Sequence, residues 1–195
     1  MNDRIQSLVM QIKHLEAELL QEMQRKQREF LYEIRKKRVL FQQEVALRHK
    51  LLKTTIRRYL IESSIPNMLT IPIIWSVAVP AFFIDAVITF YQWTCFPIYG
   101  IPRVKRSDYI VMDRRYLKYL NFIERVNCAY CEYFNGLVSY LEEIAARTEQ
   151  YWCPIKHARK LKNMHSRYGK FFDYGDAEGY KARVEEVRRD FDDLE

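Results

Sequence analysis

Residues 65–99 (IPNMLTIPIIWSVAVPAFFIDAVITFYQWTCFPIY) hold one charged side chain, Asp85, in thirty-five consecutive positions. A helix of about 20 apolar residues already crosses a hydrocarbon core. A soluble chain of 195 residues has little room to bury so long an uncharged run. The segment therefore predicts membrane association. Trp75, Tyr91, Trp93 and Tyr99 add the amphipathic rings that favour a membrane–water interface.

Two arrangements of this segment compete. Lys50, Lys53, Arg57 and Arg58 precede it, and Arg103, Lys105 and Arg106 follow it. Basic flanks prefer the cytoplasmic side, so charge favours a re-entrant hairpin broken at Pro72, Pro80 and Pro97. Length alone favours the rival, a single kinked span from about Met68 to Trp93. Arg57, Arg58, Arg103, Lys105 and Arg106 are the candidate lipid-headgroup contacts. Asp85 is costly inside hydrocarbon. It is read as a proton-accepting group, as the partner of a basic side chain, or as a residue near the interface.

The first proline of the chain is Pro66 and the first glycine is Gly100. Residues 1–64, rich in Leu, Glu, Gln, Lys and Arg, accordingly predict one long helix. Ile5, Leu8, Ile12, Leu15 and Leu19 step by three and four, the spacing of a coiled-coil seam. Later apolar positions (Met23, Phe30, Ile34, Phe41, Val45, Leu52, Ile56) drift towards a 3.6 period, with Gln27 and Lys37 on the seam. Self-association, or a partner helix through residues 5–60, is the expected use. Nucleic acid is disfavoured as a partner, because few aromatics interleave with the RKKR run at 35–38 and no recognition fold is discernible.

Residues 100–168 predict a small cytoplasmic helical domain, and residues 169–195 a loop followed by a charged terminal helix that is exposed or partner-binding. Asp113 is the expected N-cap of a helix that ends at Asn135–Gly136. A second helix is expected over 137–151, and a third with Pro154 in its first turn. The fold class expected from the whole chain is all-α.

The chemistry on offer is concentrated in Cys128 and Cys131, spaced C-x2-C, and in Cys153 and His157, spaced C-x3-H. On helices each pair shares a face and forms half of a tetrahedral site. Three thiolates and an imidazole suit zinc first, then iron or an iron–sulfur cluster. His165 is an alternative ligand, whereas His14 and His49 are expected at the surface. Cys131 and Cys153 stand 22 positions apart, roughly 33 Å on an unbroken helix. The quartet is thus one site on a chain that bends between its halves, a site shared between subunits, or simply small cysteines in an aromatic core. The N-terminal MNDRIQSLVMQIKHLEAELL has no cleavage-site pattern, so reduced cysteines are expected.

The net charge of +7 and pI near 9.2 favour anionic neighbours. No phosphate-binding, nucleophile-elbow or zinc-protease motif occurs. The expected role is therefore a non-enzymatic, membrane-anchored scaffold or adaptor with a structural metal. The contrasting role is electron transfer or redox sensing at an iron or dithiol centre.

The segment NCAYCEYFNGLVSYLEEIAARTEQYWCPIKHARK, with the earlier FPIYGIP, resembles a family of proteobacterial membrane-associated proteins. The resemblance covers roughly residues 65–165. It implies a bacterial inner-membrane setting, with the bulk of the chain on the cytoplasmic side, and carries no activity.

Overall fold

The computed structural model describes residues 3–35 and 38–194. They fall into two compact units, one formed by 1–60 with 113–125 and the other by 61–112 with 126–195.

In the first unit, helix α1 spans Asp3–Glu29 and stops well short of the single long helix expected. Phe30 N–H still bonds to the Lys26 carbonyl, but Leu31 takes a left-handed backbone (φ 51°) that ends the helix. Strands β1 (Tyr32–Arg35) and β2 (Arg38–Phe41) follow, paired antiparallel with Tyr32 opposite Phe41 and Arg35 opposite Arg38. Their alternating Tyr, Ile, Val and Phe favour a pleated strand over a helix. The strictly all-α expectation is thus corrected by one small hairpin. Lys36 and Lys37 of the basic run, and with Lys37 a seam position, lie outside the described residues. So do the side chains of Ile5 and Leu8.

Helices α2 (Gln43–Leu51) and α3 (Ile56–Glu62) continue the chain. His49 on α2 is not the surface residue expected. Its ring lies between Phe41 (centroids 5.0 Å) and Tyr119 (5.3 Å), and its Nδ1 is buried without a hydrogen bond.

In the second unit, α4 (Ile65–Ser76) and α5 (Ala78–Tyr99) form one bent helical path. Only Val77 joins them, with helical dihedrals (φ −66°, ψ −20°), and Ala81 N–H bonds to its carbonyl. Of the two arrangements, the path seen is the kinked helix, because a reversal of direction needs a turn that a single helical residue does not supply. Residues 65–99 are long and apolar enough to cross a membrane. Gly100 (φ 69°) provides the left-handed cap that ends α5.

The next elements are α6 (Arg106–Tyr109) and a 3-10 turn at Arg114–Tyr116, and then α7, which runs unbroken from Phe122 to Trp152. The expected cap, Asp113, makes no side-chain bond at the 3-10 turn. Asn121 caps α7 instead. Its Oδ1 accepts from Glu124 N–H (3.0 Å) while Glu124 Oε2 accepts from Asn121 N–H (2.7 Å), a reciprocal capping box.

Gly136 lies inside α7 and does not interrupt it. A Cβ there would stand 2.7 Å from the Tyr109 carbonyl oxygen and 2.8 Å from Ile110 Cα, so the glycine admits a neighbouring backbone. The core of this unit joins Ala81 and Phe96 of α5, Ile101 and Val104 of the connector, and Tyr133, Leu137, Tyr140 and Ile144 of α7.

The C-terminal segment also packs into this core and is not a free helix. Helix α8 spans Ala177–Val187, capped by Asp176, whose side chain accepts from Gly179 N–H. Phe191 beyond it is buried, and Gln150 donates to the Val187 and Asp190 carbonyls. Arg167, only 2% exposed, donates two bonds to the Asp193 carboxylate (2.6 and 2.9 Å) and one to Gln150 Oε1. Lys170 bonds the same carboxylate at 2.7 Å. Partial burial pushes the Asp193 carboxyl up, but the bonds from Arg167 and Lys170 outweigh it and hold the group well below the usual carboxylate range.

Candidate functional site

Asp85, one helical turn from Ala81, is the polar centre of the apolar helix. Arg106 donates to both of its oxygens (Nε to Oδ1 3.2 Å, Nη2 to Oδ2 2.6 Å), and Tyr133 Oη donates to Oδ2 at 2.9 Å. Thr89 Oγ1 completes the set at 3.4 Å. Of the three readings of Asp85, this geometry supplies the basic partner. The Asp85 side chain is 13% exposed and that of Arg106 is 45% exposed, so the guanidinium keeps one side towards the surroundings.

The bond to Arg106 depends on how the connector runs. Residues 101–106 do not continue away from the end of α5 but return along its flank. Val104 N–H donates to Gln92 Oε1 (3.0 Å), and Arg103 Nη2 reaches the Trp93 carbonyl (3.4 Å). Arg147 of α7 fixes the same stretch by donating to the Pro102 carbonyl at 2.7 Å, while also pairing with Glu143. Sequence reasoning missed Gln92, Tyr133, Tyr140 and Arg147. Gln92 carried a signal, as a polar residue in an apolar run that must find a partner when buried. It bonds Tyr140 as well as Val104.

Opposite this polar edge the helix is uncovered. Val79, Phe82, Phe83, Val87, Phe90, Trp93 and Ile98 are exposed, and so is every residue from Ile65 to Val77. Phe82, Ala86, Phe90 and Trp93 line a shallow groove whose polar side is formed by Asp85, Thr89 and Arg106. Arg103 and Lys105 are exposed nearby. The other candidate lipid contacts, Arg57 and Arg58, lie on α3 and are exposed there.

The Cys and His pairs are not brought together. Cys128 and Cys131 sit three apart on α7, as expected. Cys153, however, follows the end of that helix, and the continuous helix keeps it roughly 33 Å from Cys131. The expected third helix at Pro154 does not form. Its carbonyl accepts from Phe172 N–H and Lys156 N–H donates to the Phe172 carbonyl, a short parallel bridge in extended backbone. Cys153 and His157 therefore share no helical face, and both are exposed. Among the described residues no group of three Cys, His, Asp or Glu side chains is placed to hold a metal. His165 packs against Tyr168 and Phe171, with Nε2 at 3.1 Å from Glu149.

No family model, no curated protein and no solved structure matches this chain.

Proposed function

We propose that the protein is a membrane-anchored adaptor of the bacterial inner membrane, working on the cytoplasmic side. One observation carries this reading: the helix over residues 65–99 leaves Val79, Phe83, Phe90, Trp93 and Ile98 uncovered. Exposed apolar patches of this extent mark an interface with protein or lipid. The basic surplus of the chain and the two interfacial tryptophans favour an anionic lipid surface.

The adaptor half of the reading is supported by α1. Ile12, Leu15, Leu19 and Met23 are exposed along it, a stripe suited to a second copy or to a partner helix.

Flotation with vesicles and crosslinking test the two halves separately. The full chain is expected to float with vesicles containing phosphatidylglycerol. A chain that stays soluble and monodisperse without detergent or lipid overturns the anchor. Leu15→Cys or Leu19→Cys is expected to capture a crosslinked dimer or partner through α1, and persistent monomer overturns the adaptor role.

A further inference from the structure

The helix over 65–99 has the length of a span, yet its neighbours are wrong for one. Helices α5 and α7 run in the same direction, and their contacts climb together. Tyr130 bonds the Ile74 carbonyl, Tyr133 meets Phe82 and Asp85, and Tyr140 meets Gln92, while Tyr151 stacks on Tyr99 at 5.0 Å. Upright in a bilayer, α5 would carry Glu142, Glu143 and Arg147 of α7 to membrane depth beside it. The returning connector adds to this. Arg106 is fixed opposite Asp85 and Arg103 opposite Trp93, so the basic collar lies against the middle of the helix and not beyond its end. Charges at that depth are strongly disfavoured. The stretch ahead of Ile74 is about nine residues, roughly 14 Å of helix, against about 30 Å of hydrocarbon.

We infer that α5 lies in the plane of an anionic bilayer surface and does not cross it. Its uncovered face enters the boundary between headgroups and acyl chains, while Arg103, Lys105 and the open side of Arg106 meet lipid phosphates. Helix α7 covers the other face and, with the C-terminal segment packed against it, stays in water. This is how helices with one apolar face and a basic border associate with membranes. The placement rests on the membrane anchoring proposed above and specifies its geometry.

The test measures depth at three points of the helix, in full-length protein bound to vesicles of phosphatidylcholine with 30% phosphatidylglycerol (about one lipid in three, to supply the surface charge). Single-tryptophan proteins report each point: Trp75 with Trp93→Phe and Trp152→Phe, Trp93 with Trp75→Phe and Trp152→Phe, and Phe83→Trp with all three native tryptophans replaced by Phe. Each is quenched by lipids brominated near the headgroup or near the chain end. The expected result is the same shallow depth at all three points, with stronger quenching by the upper bromines. A span would set the probes at positions 83 and 93, both on α5, about 15 Å apart in depth, which overturns the in-plane placement but leaves the anchor standing. Failure to float on any vesicle overturns both. A lipid-free dimer that shields all three probes equally assigns the face to a second copy and also overturns the placement. Arg103→Gln with Lys105→Gln is expected to weaken vesicle binding roughly five-fold for each charge removed without changing the depth. Unchanged binding overturns the contact with lipid phosphates.

Discussion

Asp85 and Arg106 stand twenty-one positions apart in the chain and meet through two hydrogen bonds, to opposite oxygens of one carboxylate. The pair fastens the start of α6 to the middle of α5, and through Tyr133 it includes α7 in the same contact.

Removing one member of this pair is worse than removing both. Arg106→Gln leaves a largely buried carboxylate with only Tyr133 and Thr89, and is expected to cost about 1–3 kcal/mol. The half-exposed guanidinium places the result at the lower end. Adding Asp85→Asn should recover part of that loss. Chemical unfolding of the two single variants and the double variant measures the coupling, and strict additivity would show that the pair contributes nothing.

Gly136→Ala is expected to destabilise the second unit although alanine is the better helix former. The gain in helix propensity is about 1 kcal/mol. The added methyl meets backbone atoms of Tyr109 and Ile110, which cannot rotate aside, and overpacking of this kind costs about 1–3 kcal/mol. A lowered Tm is the expected outcome; a raised one would mean that the 109–110 backbone is free to move away.

The capping box gives a third prediction. Asn121→Ala should cost about 1 kcal/mol, and Glu124→Gln much less, since the amide oxygen still accepts from Asn121 N–H. Equal losses from the two changes would contradict the reciprocal arrangement.

Acid should loosen the C-terminal segment. The Asp193 carboxyl titrates below its unfolded value, about 3.9 for an ordinary aspartate. Its contribution is therefore complete above that value and disappears as the pH falls towards the folded value. Unfolding free energy measured between pH 6 and pH 2.5 should decline below about pH 4. Asp193→Asn is expected to flatten this part of the decline, and a decline of the same steepness would assign it to other carboxylates.

Thiol protection tests the cysteine pairs. Because α7 is continuous, zinc added to monomeric protein is expected to shield Cys131 and Cys153 independently, if at all, from alkylation. Joint protection of both, appearing only as dimers form, would point to a site shared between subunits. Joint protection in the monomer would require α7 to break.

What the sequence revealed was local in kind. The uncharged run marked α4–α5, and the three-and-four spacing around Ile12, Leu15 and Leu19 marked α1. The paired strands 32–35 and 38–41 were concealed because no glycine, proline or asparagine lies between them, and because what stops α1 is Leu31, a leucine in a glycine-like backbone conformation. Gly136 looked like a break because the backbone that requires it, at 109–110, is distant in sequence. Arg106 looked like a flanking charge for the same reason: its partner is reached only once the connector turns back. Cys128 and Cys131 do share one helix, whereas Cys153 and His157 lose the expected helical face because no helix forms after Pro154, and whether two pairs meet is decided by the helix between them. Pro154 ends α7, as a proline there should, yet the chain after it finds hydrogen bonds with Phe172 and not with a new helix.

The parallel course of α5 and α7 has a consequence for synthesis. The cover for α5 is encoded after it: fifty-three residues, from Gly100 to Trp152, must emerge before α7 is complete. At about 5–20 residues per second that is roughly 3–10 s in which the helix is bare on every side. A nascent chain with such a helix is a substrate for whatever meets apolar segments at the ribosome exit. The final placement of α5 therefore depends on a race between its capture and the completion of α7.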